Sequence, residues 1–397
     1  MRLRTGSKRL IREINEALVL DTVRLERSVS RAFISEATGL SPATVTGITG
    51  KLISTGYLVE SEAQRGTGGR PAQLLSLATD HILVIGVRLS NTVAYATTID
   101  LSGDVQSTHS EPWSGARVED AVDAIASAID ALVSRARPEQ TVIGAGVAVS
   151  GIVDHQRGIV RHSGSLGWQD VPLHDLLAER LSLPVKVDNY VNAFALGLLL
   201  FGSGLASHDA LVVNVGTSIG MSLVLGGRMY RGAHGTAGGL AHSRIGLPRD
   251  TSRPCHCGAL GCLETWSSLW GINSELVRRG LLVDSDALAA RRNEPGIAEV
   301  LAEAASALSA ALANAAKQFG PHTVLVSLAA ELRFSEFEGA IIDQFRSEFD
   351  HDQMGAPHLE IVTADDTAWA RGAGCEILAG LFKVDVESDS SIDAAAV

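Results

Sequence analysis

Three of the four cysteines crowd into eight residues, Cys255-His256-Cys257-Gly-Ala-Leu-Gly-Cys262. Thiolates packed this closely bind soft or borderline metals, and zinc takes four such ligands in a tetrahedron. His242, upstream, can supply the fourth ligand, although His256 competes for that role on sequence alone. Four protein ligands close the coordination sphere, so the predicted zinc is structural rather than catalytic. The clustering favours metal over disulfides in a chain read as cytosolic. Cys375, alone in an apolar helix, reads as a core residue.

A second set of residues suits nucleic acid. Leu10, Ile11, Ile14 and Leu18 predict a helix over 7–20, broken at Asp21-Thr22. Another helix covers 30–38 and stops at Gly39. Ser41 is placed as an N-cap, with Pro42 at the first helical position. Leu40 and Val45 can form a staple across that start. Val45, Ile48, Leu52 and Ile53 give the new helix one buried face, and Gly56 stops it. Tyr57–Glu60 and Leu74–Leu77 read as strands around the turn Arg65-Gly-Thr-Gly-Gly-Arg70-Pro71. These are the parts of a winged helix-turn-helix. Its DNA-facing candidates are Ser41, Pro42, Ala43, Thr44, Thr46, Gly47 and Lys51. Arg65 and Arg70 join them from a wing slim enough for the minor groove. The recognition helix carries no Arg, Asn or Gln near its start, the usual bidentate base readers. Methyl groups on Ala43, Thr44 and Thr46 suit thymine, which predicts an A·T-biased operator.

Charge divides the chain in the same place. The 397 residues carry a net charge of −12, which by itself argues against DNA. Residues 1–75, however, hold eleven Lys and Arg against seven Asp and Glu, leaving 22 against 38 for the rest. A basic head on an acidic body fits a DNA-binding module joined to a larger sensor. The length exceeds what one hydrophobic core of roughly 250–300 residues serves. The basic N-terminus is followed by no signal-peptide core, and no apolar run approaches the ~18 residues of a membrane span. A cytoplasmic protein is expected.

From about residue 80 strands and helices alternate. His81–Arg88, Thr92–Ile99 and Val105–His109 read as successive strands, Ala121–Arg135 as a helix and Thr141–Ala148 as a buried strand. Val185–Asp188 leads into a helix from Asn189. The pattern restarts with Ala210–Val215, Met221–Leu225 and a turn at Gly226-Gly227. The fold class is therefore α/β, with a winged helix-turn-helix at 1–78, two α/β lobes flanking a ligand cleft over 79–384, and a Ser/Asp/Ala-rich tail at 385–397.

On these residues the chain resembles the ROK family of bacterial sugar kinases and sugar-responsive repressors, of actin/hexokinase-like fold. The most specific part is CHCGALGCLE (255–264). GVAVSGIVDHQRGIV (146–160), LGWQDVPLHDLL (166–177), LPVKVDNYVNAFALG (183–197) and VVNVGTSIGMSLVLGGRMYRGAHGTAGGLAH (212–242) support it. The resemblance implies that His242 both ligates zinc and lies beside the sugar. It further implies that Asn189, Glu264 and the Gly151 backbone face the ligand, with Tyr190 added here. The N-terminal module occurs in the family's repressors and not in its simple kinases.

The departures concern catalysis. Family kinases carry Asn-Asp at Asn189-Tyr190, and that Asp is the base; a phenol is a poor base at pH 7. The first phosphate loop, Asp-x-Gly-Gly-Thr, aligns with Arg88-Leu89-Ser90-Asn91-Thr92. The adenosine-binding glycines align with Ser327-Leu328-Ala329. Only the second phosphate loop, Gly216-Thr217-Ser218-Ile219-Gly220, is partly intact. A sugar-ligating Glu is Gly239 here. The resemblance thus implies a non-enzymatic regulator, a repressor of carbohydrate genes, acting as a homodimer or dimer of dimers on two-fold operator DNA. Its effector is a sugar or sugar phosphate. The rival readings are an ATP-dependent sugar kinase with a fused DNA-binding head, and a DNA-binding regulator with a vestigial pocket that senses a protein partner.

Overall fold

The computed structural model describes residues 8–62, 73–114, 117–202, 208–245, 253–281, 287–351 and 355–382. The N-terminal module comprises α1 (Lys8–Glu26), β1 (Val29–Ser30), α2 (Arg31–Thr38), α3 (Pro42–Ser54), β2 (Leu58–Glu62) and β3 (Gln73–Leu77). The Ser41 hydroxyl accepts from the Thr44 amide at the start of α3, with Pro42 in the first turn. One orphan donor is thereby satisfied, and Pro removes another. Val45, Ile48 and Leu52 are buried against Val19, Leu20, Val23, Ile34, Leu58 and Leu75, each contributing about 1.5–3 kcal/mol. The strands pair in the order β1-β3-β2.

The first helix does not break at Asp21-Thr22 but runs to Glu26. The Asp21 carboxylate accepts from Arg24 Nη2 at 2.6 Å within the helix, and the Thr22 hydroxyl donates to the Leu18 carbonyl at 2.8 Å. Val23 is fully buried, so the apolar stripe continues past the two polar residues.

The body folds the same way twice. In the first lobe β4 (Ile82–Leu89), β5 (Val93–Asp100) and β6 (Val105–Pro112) form an antiparallel meander. After α4 (Val118–Val133), β7 (Thr141–Val149) and, later, β11 (Val185–Asn189) join in parallel, giving the order β11-β7-β4-β5-β6. Between them lie a small sheet of β8 (Ile152–Asp154), β9 (Ile159–Ser163) and β10 (Trp168–Val171), then α5 (Leu173–Arg180). Helix α6 (Tyr190–Phe201) follows β11 directly.

The second lobe opens with a meander of β12 (Ala210–Val215), β13 (Ile219–Leu225) and β14 (Arg228–Tyr230). After α7 (Glu264–Ser267), α8 (Leu269–Arg278), α9 (Leu288–Arg291) and α10 (Pro295–Phe319), β15 (Thr323–Leu328) joins in parallel. Helix α11 (Ser335–Ser347) and β16 (His358–Val362) complete the order β14-β13-β12-β15-β16. Helix α10 is long and apolar enough to cross a membrane by length and composition. Its Ile297, Val300, Leu301, Leu308 and Leu312 instead fill the core of the second lobe.

The last helix, α12 (Asp366–Phe382), returns to the first lobe and packs on β4, β7 and α6. It lies almost on the sheet backbone. A Cβ at Gly86 would sit 1.8 Å from the Ala370 carbonyl oxygen, and one at Gly146 would sit 1.7 Å from that of Ala373. Only glycine permits that approach, and it places α6 and α12 side by side between the lobes.

Candidate functional site

The three thiols and His242 come together. Cys255 Sγ lies 3.7 Å from His242 Nδ1, and Cys257 Sγ lies 3.7 Å from Cys262 Sγ. All four donor atoms fall within 4.8 Å of one another. Tetrahedral zinc with bonds of about 2.0–2.3 Å requires donors about 3.5–3.8 Å apart along each edge, so the donor set fits that ion. Burial pushes the Cys262 thiol up to about 12, and three neighbouring thiolates need a cation between them. The competition between histidines is resolved by position. The His256 ring packs edge-on against Trp270, with centroids 4.9 Å apart, and stands outside the donor cluster.

Glu264 opens α7, two residues beyond Cys262. It is 1% exposed. Its Oε2 accepts from the Ile219 amide at 2.8 Å, while Oε1 has no partner among the described residues. Burial pushes its carboxyl up to about 7, partly offset by the Ile219 amide and the Ser218 hydroxyl. The Leu263 amide donates to the Ser243 carbonyl at 3.0 Å. That bond holds the His242 segment beside Glu264.

Asn189 caps α6, its side-chain oxygen accepting from the Asn192 amide at 2.8 Å. That oxygen is committed to the helix, leaving the amide nitrogen as the group to meet a ligand. Gly151 has φ +102, and a Cβ there would lie 2.1 Å from the His162 carbonyl oxygen. Close packing on β9 therefore accounts for this glycine independently of any ligand. At Gly239 a Cβ would meet nothing within 4 Å.

Tyr190 reaches across the lobes. Desolvation raises its phenol above the ordinary value, opposed by the Arg88 guanidinium and by the Asn214 side chain on β12. Its ring meets Trp369 of α12 edge-on at 5.2 Å. Such a group is neutral at pH 7 and has no base strength to offer. Arg88, at the end of β4, pairs with Asp366 at the start of α12. The Ser327 hydroxyl donates to Asn214 Oδ1 at 2.9 Å.

Sequence reasoning missed a buried charge cluster beside this position. Asp188 accepts from the Asn189 amide at 2.7 Å and from Asn192 Nδ2 at 3.1 Å. Arg231, beyond β14, joins Asp188 at 2.7 Å to Glu376 of α12 at 3.1 Å. His155 stands 3.5 and 3.7 Å from the same carboxylates. The four residues lie 33 or more positions apart in sequence, without a common motif to mark them.

In the N-terminal module Ser41, Pro42, Ala43, Thr46, Gly47 and Lys51 are exposed along α3, and Thr44 is half-buried. Thr46 donates its hydroxyl to the Pro42 carbonyl at 2.8 Å. Lys51 is not free. Its Nζ lies 2.7 Å from both carboxylate oxygens of Glu16 on α1. Arg65 and Arg70 lie outside the described residues.

Comparison with known proteins places these features in a family. The ROK family model matches residues 84–373. The chain is 32% identical over 284 residues to the xylose repressor of Caldicellulosiruptor bescii, covering 70% of each protein. It is 30% identical over 261 residues to the DNA-binding transcriptional dual regulator NagC of Escherichia coli, covering 66% of this chain and 64% of that one. In fold it is similar to a ROK family transcriptional regulator solved as a homologue of the E. coli Mlc protein, with TM-score 0.79 and 23% identity over 94% of this chain and 98% of that one. A three-helix module with a small antiparallel sheet is joined to two α/β lobes, and the chain belongs to the ROK family.

Proposed function

We propose that this chain is a sugar-responsive DNA-binding transcription regulator, a repressor of carbohydrate-metabolism genes acting in the cytoplasm. Residues 1–78 form its DNA-binding domain, 79–384 its sensor and 385–397 a tail. The observation that supports this reading is a three-helix module with a small β1-β3-β2 sheet joined to two α/β lobes, with a phenol, Tyr190, where the family resemblance puts the catalytic carboxylate. The kinase reading would require a carboxylate there. The Arg88–Asp366 pair and the Ser327–Asn214 bond stand where phosphate-binding and adenosine-binding glycines are expected. Relatives named as repressors of xylose and N-acetylglucosamine systems support the regulator reading.

Ser41, Pro42, Ala43, Thr44, Thr46 and Gly47 face DNA, with the methyls favouring A·T pairs and Arg65 and Arg70 entering the minor groove. Lys51 reaches phosphate only by leaving Glu16. A sugar or sugar phosphate binds between the lobes against Asn189, Tyr190, His242, Glu264 and the Gly151 backbone. Zinc, held by His242, Cys255, Cys257 and Cys262, supplies rigidity to the loop that carries His242 and Glu264. A homodimer, or a dimer of dimers, matches a two-fold operator.

The test is fluorescence anisotropy with duplexes selected from a random library, alone and with xylose, N-acetylglucosamine, glucose and their phosphates. Saturable binding to A·T-rich duplexes, weakened by one of these compounds, is expected. A G·C-rich selected core would overturn the readout by methyl groups. Tight binding that no compound moves would overturn the sugar effector and favour a protein signal. Absence of specific binding at low and moderate salt would overturn the function.

A further inference from the structure

Resting on the regulator reading, one element joins the cleft to the DNA-binding module. Helix α6 is capped by Asn189, begins at Tyr190 beside the β12–β14 strands of the second lobe and ends at Phe201. It is about 18 Å long at 1.5 Å per residue, and nine of its twelve residues are buried. It packs on β12, β13 and β14 of the second lobe, and in its first turn Asn192 donates to the Asp188 carboxylate that pairs with Arg231.

At its last turn it is tied to the DNA-binding module. Arg24 of α1 donates from Nη1 to the Leu200 carbonyl. That carbonyl is among the last four of the helix, which lack partners within it, and a cation there is favoured by the helix dipole. The Arg24 side chain is 6% exposed. Its guanidinium lies 5.9 Å from the Phe201 ring centroid and 5.3 Å from that of Phe382, the last residue of α12. Asp21 holds it from below at 2.6 Å. The core of the winged module is also continuous with this junction, since Val19, Leu20, Val23 and Leu52 share one buried cluster with Phe194, Leu199 and Leu200.

We propose that α6 transmits cleft closure to the DNA-binding module, and that Arg24 is the positioning residue through which it does so. A packed helix of buried side chains moves as a rigid piece rather than deforming. Movement of the second lobe displaces Arg231 and the β12–β14 strands packed on α6, and with them the start of α6. The Arg24 clamp then carries the shift into α1, against which α2 and α3 are packed. By reciprocity, DNA held by α3 must alter the cleft end of α6. Arg24 is buried, so it acts without touching DNA.

The experiment is hydrogen exchange on the full chain, with and without a duplex selected from a random library. In the wild type, DNA is expected to change the exchange of Tyr190–Ala193 amides at least threefold, while β16 stays constant. In Arg24→Met, which keeps the apolar stem against Phe201 and Phe382, DNA affinity should remain within threefold. The α6 response should fall below 1.5-fold. Arg24→Lys, which keeps the charge, should restore part of it. Arg24→Met paired with Asp21→Asn removes the stranded acid if the single variant folds poorly. An α6 response as large in Arg24→Met as in the wild type would overturn the proposal. So would DNA binding by the wild type that leaves α6 unchanged, a result that needs no variant. Failure to bind any duplex would overturn the regulator reading and this inference together, and is told apart by the absence of an anisotropy change.

Discussion

Replacing Arg231 by Met should convert a buried, balanced cluster into two stranded carboxylates. Asp188 and Glu376 have side chains 0% and 3% exposed, and Arg231 holds them at 2.7 and 3.1 Å. Met fills the guanidinium's stem but supplies neither charge nor donor. Removing one partner from a buried pair costs about 3–5 kcal/mol. A second route gives the same scale. To escape the penalty at pH 7.5, a carboxyl with an unfolded pKa of about 4 must take up a proton, at about 1.4 kcal/mol per pH unit, or about 5 kcal/mol. At pH 5 the same protonation costs about 1.4 kcal/mol. Burial already pushes Glu376 above its ordinary range with Arg231 opposing it, so the variant's carboxyls move upward. A raised carboxyl gives stability that is present below its unfolded pKa and is lost as pH rises toward its folded value. The Arg231→Met variant should therefore lose about 3–5 kcal/mol at pH 7.5 but only about 1–2 kcal/mol at pH 5. Urea unfolding at the two pH values measures this, and the added replacements Asp188→Asn and Glu376→Gln should recover most of the loss at pH 7.5. A loss below 1 kcal/mol at pH 7.5, or one equal at both pH values, would refute the reasoning.

Three further outcomes are expected. Cys257→Ser should lower bound zinc from about one per chain to near zero by mass spectrometry of the purified protein, whereas Cys375→Ser, which alters a buried thiol away from the cluster, should leave it unchanged. With ATP and a sugar panel the wild type should show no turnover above background, and Tyr190→Asp should show none either, because Arg88 remains paired with Asp366 and Ser327 with Asn214; turnover by that variant would restore the kinase reading. Ser41→Ala removes the acceptor for the Thr44 amide and should destabilise the N-terminal module by about 1 kcal/mol in chemical denaturation, a loss that Ser41→Asp should not share.

What short stretches of chain encode was legible without coordinates. Ser41-Pro42 after Gly39 states where α3 begins, because capping and a fixed proline φ are local properties. The spacing Cys255, Cys257, Cys262 announces a cluster of thiols able to hold a metal for the same reason: they are neighbours before the chain folds. Alternating strands and helices, restarted near residue 210, foretold two α/β lobes. The limits appeared wherever a distant partner decides. Asp21-Thr22 looked like a break, yet both polar groups are satisfied within α1 and Val23 finds a buried place. Lys51 looked free until Glu16 of another helix met it. His256 and His242 were equivalent on spacing, and only the turn of the loop against Trp270 separated them. Tyr190 could be seen to lack a carboxylate, but its edge-on contact with Trp369 comes from the last helix. Arg24 and Arg231 carried no local mark at all. Their partners lie 176 residues away at Leu200 and 43 and 145 away at Asp188 and Glu376. A guanidinium buried with its charge balanced is a property of the folded assembly, since only there does removal from water make the partner indispensable.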